Sequence, residues 1–346
     1  MVKIMKAAVF HAPSDIRIED KPIPSVTGKE ILVRVKAAAI CGTDLRIYKG
    51  TKKIKTPRII GHEFAGDIEK VGDGTEFRKG DRVTVYPVIS CGKCYACMMG
   101  RPNICIQRPT IGYDYDGGFA EYVKIPSNAI DTNSVTRLPD SISYEEAAIT
   151  EPLAACLNGV LRLDVKQGEH VWVVGAGPIG LMHVQLVRLA GASKVMVSEV
   201  NEFRADKAAK LGADVVINPV KEDVFQRIMK ETGGIGADKI IIAAGVPKLI
   251  EDSFKAARKG ARIVIFAGSP DGSFITLDPN IIHYKEIDLT GSSASTPYLH
   301  KKAIELVCSG RIDLKSLITH RLRLEDIVKG LVMKEMVEGL KTLIIP

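Results

Sequence analysis

No uninterrupted apolar stretch in this sequence of 346 residues approaches the roughly 18 residues a helix needs to span a membrane, so no membrane partner is expected. Aromatic residues are scarce, at 5%, and do not interleave with basic ones. The 48 Lys and Arg exceed the 41 Asp and Glu to give a net charge of +7. They are spread along the chain instead of forming runs, which argues against a nucleic-acid partner. Tandem repeats and low-complexity tracts are also lacking. The opening MVKIMKAAVFHAPSD has no apolar core long enough for a signal peptide and reads as a strand from Met5 onwards, so a cytoplasmic protein is expected. Cysteine is few and odd in number. Of seven, four crowd between residues 91 and 105, while Cys41, Cys156 and Cys308 stand alone. In a reducing compartment such crowding points to metal before disulfides.

What is present reads as two domains, since the length is roughly twice what one hydrophobic core organises. Up to about residue 150, short β-branched runs (KAAVF, EILVRVKAAAI, DRVTVYPV, FAEYVKIP) alternate with Gly and Pro breaks and predict an all-β domain. From His170 the rhythm changes. The runs HVWVV, KVMVS, ADVVI, DKIIIAA, ARIVIFA and EIDLTG recur, mostly with helical stretches such as IGLMHVQLVRLAG and EFRADKAAKLG between them. Strands alternating with helices predict α/β architecture with a doubly wound parallel sheet. After Gly291 the helical LHKKAIELVCSG and the closing KTLIIP are too short to fold alone and are expected to return to the first domain. The expected division is 1–152 with 293–346, and 153–292.

Gly175, Gly177 and Gly180 form GxGxxG directly after HVWVV and directly before a helix. In that context the glycines permit a tight turn, and backbone N–H groups can approach a pyrophosphate at the positive end of the helix, with Pro178 and Ile179 inside the loop. Close helix–strand packing is the alternative role of these glycines. The next strand ends at Glu199, nineteen residues past Gly180. A carboxylate there can accept from both adenosine-ribose hydroxyls and repels a 2′-phosphate, so NAD is expected over NADP; a solvated strand-end carboxylate is the alternative. Arg204 lies over the adenine or is a helix surface charge.

Cys91, Cys94, Cys97 and Cys105 follow CxxCxxCx7C in a Gly-containing loop. Four thiolates so spaced suit a closed structural zinc site, against an iron–sulfur cluster, whose usual fourth spacing differs, or a metal-free thiol cluster. A second candidate centre draws on Cys41-Gly42-Thr43-Asp44, Gly61-His62-Glu63 and Glu151-Pro152-Leu153. Cys, His and carboxylate are competent zinc ligands, and catalytic zinc needs three of them with one position open. A hydride acceptor needs a neighbouring Lewis acid to acidify an alcohol, and the chain offers both halves of that chemistry.

An ordered series of motifs runs nearly end to end: CGTDLRIYKG at 41–50, GHEFAGDIEKVG at 61–72, GDRV at 80–83, the cysteine loop, DGGFAEYV at 116–123, EPLA at 151–154, VVGAGPIG at 173–180 and THR at 319–321. In these the chain resembles the zinc-dependent medium-chain dehydrogenases/reductases, in the branch of sorbitol, threonine and related polyol dehydrogenases. The resemblance implies a GroES-like β catalytic domain, a Rossmann domain inserted before its last segment, and a homodimer or homotetramer. It makes Cys41 and His62 zinc ligands, with Glu63 or Glu151 as the third, and gives the Thr43 hydroxyl the substrate proton. Phe266, Ala267, Gly268 and Ser292 join the glycine loop as cofactor contacts.

Two positions depart from the relatives. Arg46 stands five residues after Cys41, where threonine dehydrogenases carry a relay histidine; arginine stays protonated and cannot exchange a proton usefully. It contacts cofactor, makes a surface pair, or pairs with a substrate carboxylate. Ala294-Ser295 replaces the Arg-Tyr pair of sorbitol dehydrogenases. His11, His170, His183, His283 and His300 are expected to be structural or exposed, and His320 is given no chemistry. The expected activity is NAD-dependent, zinc-requiring oxidation of a secondary alcohol of polyol, sugar or sugar-acid type to a ketone. The alternatives are L-threonine 3-dehydrogenase and, from another class, a non-catalytic NAD-binding sensor.

Overall fold

The β-branched and alanine-rich runs become strands in the computed structural model, which describes residues 3–346. In chain order these are β1 (Ile4–Ala12), β2 (Asp15–Pro22), β3 (Ile31–Ala39), β4 (Arg58–Ile59), β5 (Glu63–Val71), β6 (Arg82–Val85), β7 (Tyr122–Ile125) and β8 (Val135–Arg137). There follow β9 (His170–Val174), β10 (Lys194–Ser198), β11 (Val215–Ile217), β12 (Ala237–Ile242), β13 (Ala257–Ile265), β14 (Asp288–Gly291), β15 (Ile318–Arg323) and β16 (Lys341–Ile345). The chain divides into a first unit, up to Ala154 together with Ala294–Pro346, and a second, Ala155–Ser293.

The first unit carries a sheet ordered β15-β16-β3-β5-β6-β8, with β7 also on β3, and a small sheet β2-β1-β4. Its core gathers Val33, Phe64, Ile68, Val83 and Ile125 from these strands. The closing β16 pairs antiparallel with β3 and parallel with β15, which places it inside the first unit's sheet, one strand from the edge. Four short helices interrupt the β structure, at Gly42–Tyr48, Tyr95–Met98, Ser127–Asp131 and Tyr144–Ala148. None has more than seven residues, too few for a helical period to show in the sequence.

The second unit is a six-stranded parallel sheet ordered β11-β10-β9-β12-β13-β14, the doubly wound Rossmann order. Its strands β9 and β12 are buried on both faces, which is why they read as apolar runs, VWVV in β9 and III after Lys239 in β12, and not as alternations. No helix among the described residues is long and apolar enough to cross a membrane.

Each unit buries a neutral histidine. His183 donates from Nδ1 to the Ile179 carbonyl at 2.9 Å and packs edge-on against Phe266 at 4.6 Å, while its Nε2 has no hydrogen-bond partner. His300 contacts Thr150 Oγ1 through Nε2 at 2.9 Å, and its Nδ1 is likewise without a partner. Burial lowers both pKa values to about 3. The unfolded chain binds protons at these positions below its ordinary value of about 6.5, where the folded chain does not. Stability is therefore full above pH 6.5 and falls as pH drops from there towards 3, by up to about 1.4 kcal/mol per pH unit per histidine. Urea denaturation at pH 7.5 and pH 5.0 checks this: His183→Leu is expected to lessen the loss between the two.

Candidate active site

Register assembles the reactive cluster. In the antiparallel β3–β5 pair Ala39 faces Glu63, so the residues just past β3 meet those just before β5 at one end of the sheet. There Cys41 Sγ, a His62 ring nitrogen and a Glu63 carboxylate oxygen all lie within 4.8 Å of one another. Pairing of β16 with β3 brings Lys341 to the same end, where its ammonium hydrogen-bonds Glu63 Oε2 and the Ile40 carbonyl. Both side chains are buried, at 4% and 1% exposure, so the ion pair is shielded from water.

Asp44, fully buried, works on two of these groups. Its Oδ2 accepts the Cys41 N–H at 2.8 Å, fixing the start of the helix Gly42–Tyr48, and its Oδ1 lies 3.4 Å from His62 Nδ1. A carboxylate on the second nitrogen is the usual way a ligating histidine is oriented. Tyr113 Oη stands 3.2 Å from His62 Nδ1 and 3.3 Å from Nε2. Burial opposes protonation of His62, but Tyr113, Asp44 and Cys41 outweigh it and hold its pKa well above the ordinary value. Lys341 is raised in the same way, burial being overcome chiefly by Glu63. The cluster thus favours positive charge, and its sulfur, nitrogen and oxygen donors are those of a three-ligand zinc site.

Glu151 is not among the three convergent ligands. Burial first, and then Glu63 and Asp44, raise its pKa to about 7, against the pull of His62 and Lys341. Thr43 Oγ1 lies 3.8 Å from Cys41 Sγ and hydrogen-bonds Tyr113. Arg46 is exposed on the helix Gly42–Tyr48, and its carbonyl accepts from Thr51 Oγ1 and Lys52 N–H. Lys52 places Nζ 3.5 Å from the centre of the Tyr113 ring.

The cysteine loop also converges. Sγ–Sγ distances are 3.6 Å for Cys94–Cys97, 3.6 Å for Cys94–Cys105 and 3.4 Å for Cys91–Cys105. A zinc ion bonded tetrahedrally to four sulfurs at about 2.3 Å sets them about 3.8 Å apart, so the loop needs only slight expansion to hold one. Backbone N–H groups of Cys97 and Ile106 lower the Cys94 thiol to about 6, against burial, which readies it as a thiolate.

In the second unit the glycine loop lies beyond the carboxyl ends of β9 and β12, where the strand order reverses. Gly175 has a φ of +94°, and a Cβ on Gly180 would sit 1.9 Å from the Gly175 carbonyl oxygen. Only glycine allows this turn and the helix Pro178–Leu189 that follows, whose positive end suits a pyrophosphate. Glu199 is buried: Oε2 accepts from Ala176 N at 2.7 Å, and Oε1 from Val200 N at 2.9 Å and Asn201 N at 3.0 Å. Its charge is therefore fixed against the loop. Arg204 Nη1 lies 3.9 Å from where a Gly177 Cβ would be, so its guanidinium covers the loop. Phe266 and Ala267 follow β13 and donate to the Ile242 carbonyl at 3.1 and 3.0 Å, Gly268 continues that turn, and Ser292 follows β14 at the same sheet edge.

Lys52, Tyr113 and Lys341 were not singled out from the sequence, and Asp44 was named only as part of the segment that begins at Cys41. Asp44 carried a usable signal, a carboxylate at the third position of a helix start, and so did Lys341, a charge opening the otherwise apolar KTLIIP. Tyr113 and Lys52 carried none. At the other departure, Ser295 is fully buried, hydrogen-bonding Tyr86 and the Ala154 carbonyl, so that position offers no group for a substrate.

Known proteins share this arrangement. Residues 27–139 match the alcohol dehydrogenase GroES-like domain, and residues 178–309 the zinc-binding dehydrogenase domain. A sorbitol dehydrogenase of Bacillus subtilis is 35% identical over 333 residues, 93% of this chain and 91% of that one. An L-threonine 3-dehydrogenase of Pyrococcus horikoshii is 36% identical over 333 residues, 93% and 92% of the two chains. Among solved structures, a zinc-binding dehydrogenase of Sinorhizobium meliloti bound to NADP superposes with a TM-score of 0.94 at 33% identity, covering 99% of this chain and 100% of that one. An alcohol dehydrogenase of E. coli CFT073 complexed with NADH gives 0.91 at 32%, covering 99% of each. The chain belongs to the zinc-dependent medium-chain dehydrogenase/reductase family, in the sorbitol and threonine dehydrogenase branch. It is an alcohol dehydrogenase that works with a nicotinamide cofactor.

The buried pair gives a direct test of how the cluster is held. Lys341→Met leaves the Glu63 carboxylate buried without its cation and is expected to cost about 3–5 kcal/mol in urea denaturation. The double variant Lys341→Met/Glu63→Gln, which removes the charge as well, should recover part of that loss.

Proposed function

We propose that this chain is an NAD-dependent dehydrogenase that reversibly oxidises a secondary hydroxyl of a polyol, sugar or sugar-derived acid to a ketone. The observation that carries the reading is the convergence of Cys41, His62 and Glu63 beside the Thr43 hydroxyl. When bound, zinc supplies a Lewis acid for the alcohol oxygen, and the nicotinamide supplies an acceptor for the hydride. The chain's residues do the rest. Cys41, His62 and Glu63 would hold the metal, and Asp44 orients His62. Glu151 stands by as an exchangeable carboxyl. Thr43 accepts the substrate's hydroxyl proton as its own passes outward, and Tyr113 positions Thr43. Cys91, Cys94, Cys97 and Cys105 hold a second, structural zinc.

Glu199 supports NAD over NADP because its carboxylate is fixed where a 2′-phosphate would meet it, although the S. meliloti relative was solved with NADP. The relatives divide between sorbitol and threonine enzymes, and the residues favour neither. Arg46 replaces a titratable relay group, and buried Ser295 replaces a polar pair. L-Threonine 3-dehydrogenase stays as the second reading because several relatives carry that activity in their names.

The deciding experiment measures reduction of NAD and NADP with polyols, aldonates and threonine. The highest kcat/KM is expected with NAD on a polyol or aldonate; a higher value on threonine selects the second reading, and no turnover at all favours a sensor. Elemental analysis after zinc-replete expression should give two zinc ions per chain. Cys41→Ser should abolish turnover in a folded protein, whereas Cys94→Ser should impair folding first; the reverse would exchange the two sites.

A further inference from the structure

Lys52 stands beside the reactive cluster with no part in the chemistry above. Its segment is folded back on the helix Gly42–Tyr48, since Lys52 N–H and Thr51 Oγ1 both donate to the Arg46 carbonyl, at 3.0 and 3.1 Å. This turn lays the side chain over Tyr113, with Nζ 3.5 Å from the ring centre, while the hydroxyl of the same ring sits 3.2 Å from His62 Nδ1. One aromatic ring therefore separates a cation from the proposed metal cluster, a gap that a short carbon chain spans. Lys52 is only half-exposed, and no carboxylate lies within ion-pair range of it among the described residues. Its neighbour Lys49, by contrast, pairs with Glu335 at the surface.

A half-buried ammonium loses hydration, and a cation–π contact restores only part of it. The acidic groups that act on it are Cys41, Asp44 and Asp114, and each is engaged elsewhere, Cys41 in the proposed metal cluster, Asp44 on Cys41 N–H and His62, and Asp114 on Thr110 N–H. Once Cys41 and Glu63 hold a divalent cation, that ion with Lys341 and Lys52 outnumbers the charges of Cys41, Glu63 and Asp44 by one positive charge. Glu151 adds a negative charge only when it ionises. Arg46, on the adjoining turn, and Asp114 act on Lys52 with opposite sign, so together they leave that excess unchanged.

We propose that Lys52 receives an anionic group on the substrate, a carboxylate or a phosphate ester, so that the enzyme acts on a polyhydroxy acid or an alditol phosphate in preference to a neutral polyol. The proposal rests on the dehydrogenase reading above and narrows its substrate class. An ammonium is a compact point charge with three donors, which suits either anion; a planar guanidinium would favour the carboxylate.

The test uses zinc-replete full-length protein with five- and six-carbon aldonates, alditol phosphates and alditols of matched configuration. Wild type is expected to show a higher kcat/KM on an acid or a phosphate ester than on its matched alditol, and the better of the two names the anion. Lys52→Met should lower that ratio by about 10- to 100-fold, and Lys52→Arg should keep most of it. Calorimetric binding of the preferred anion to the NADH-saturated protein should weaken by a similar factor in Lys52→Met, with zinc content unchanged. A wild type that prefers the neutral alditol throughout, or a Lys52→Met variant that loses both substrate types equally, overturns the proposal. If neither class is oxidised, the dehydrogenase reading falls and calorimetry alone decides. Loss of aldonate or phosphate binding in Lys52→Met then upholds the anion site, and absent or equal binding removes it.

Discussion

A carboxylate and an ammonium, both almost out of reach of water, hold the reactive end of the first unit together. Glu63 opens β5 and Lys341 opens β16, and each strand is paired with β3 between them. Either charge alone would be prohibitive in this setting, and the pair persists because each is the other's solvent. Its consequence is chemical as well as mechanical. The lysine engages Oε2 of Glu63, and the same carboxylate lies against Cys41 Sγ and a His62 ring nitrogen. Asp44 does the same for the remaining members, tying the Cys41 backbone and the His62 ring to one buried carboxylate. The cluster is thus rigid by virtue of two fixed acids, neither of which depends on a loop for its position.

The second unit solves a different problem by removing atoms. Its loop is shaped by what Gly175 and Gly180 lack, and the one charged group pressed into it, Glu199, is held by backbone N–H groups and not by another side chain. In the proposed reading, cofactor choice turns on this carboxylate, which the three N–H groups keep from moving aside. Arg204, covering the same loop, is lowered by burial yet supported by Glu199, so the two side chains are electrostatically linked across the glycines.

Much of this was legible in the sequence because it is written in local pattern. The parallel strands β9 and β12 appear as apolar runs, the glycine spacing follows β9 directly, and the four loop cysteines lie within fifteen residues of one another. The helix Gly42–Tyr48 was not legible, since two turns leave no periodicity, and it is the element that carries Thr43 and Asp44 into place. Lys341 and Tyr113 were missed for another reason. Their partners are 278 and 51 residues away, and nothing in the neighbourhood of either residue encodes a contact that strand β16 makes in one case and a turn in the other. Lys52 illustrates the limit: in TKKIKTPR it is one of several exposed-looking cations, and only its seat over an aromatic ring distinguishes it.

That separation of 278 residues between Glu63 and its lysine has a temporal side. At a translation rate of about 5–20 residues per second, Glu63 is made roughly 15 to 60 seconds before Lys341 exists to neutralise it. Throughout that interval the nascent β3–β5 pair carries an acid without its cation, which disfavours burying that sheet end around a carboxylate while the second unit is synthesised. The cation that lets Glu63 be buried as a carboxylate thus arrives only with the last strand.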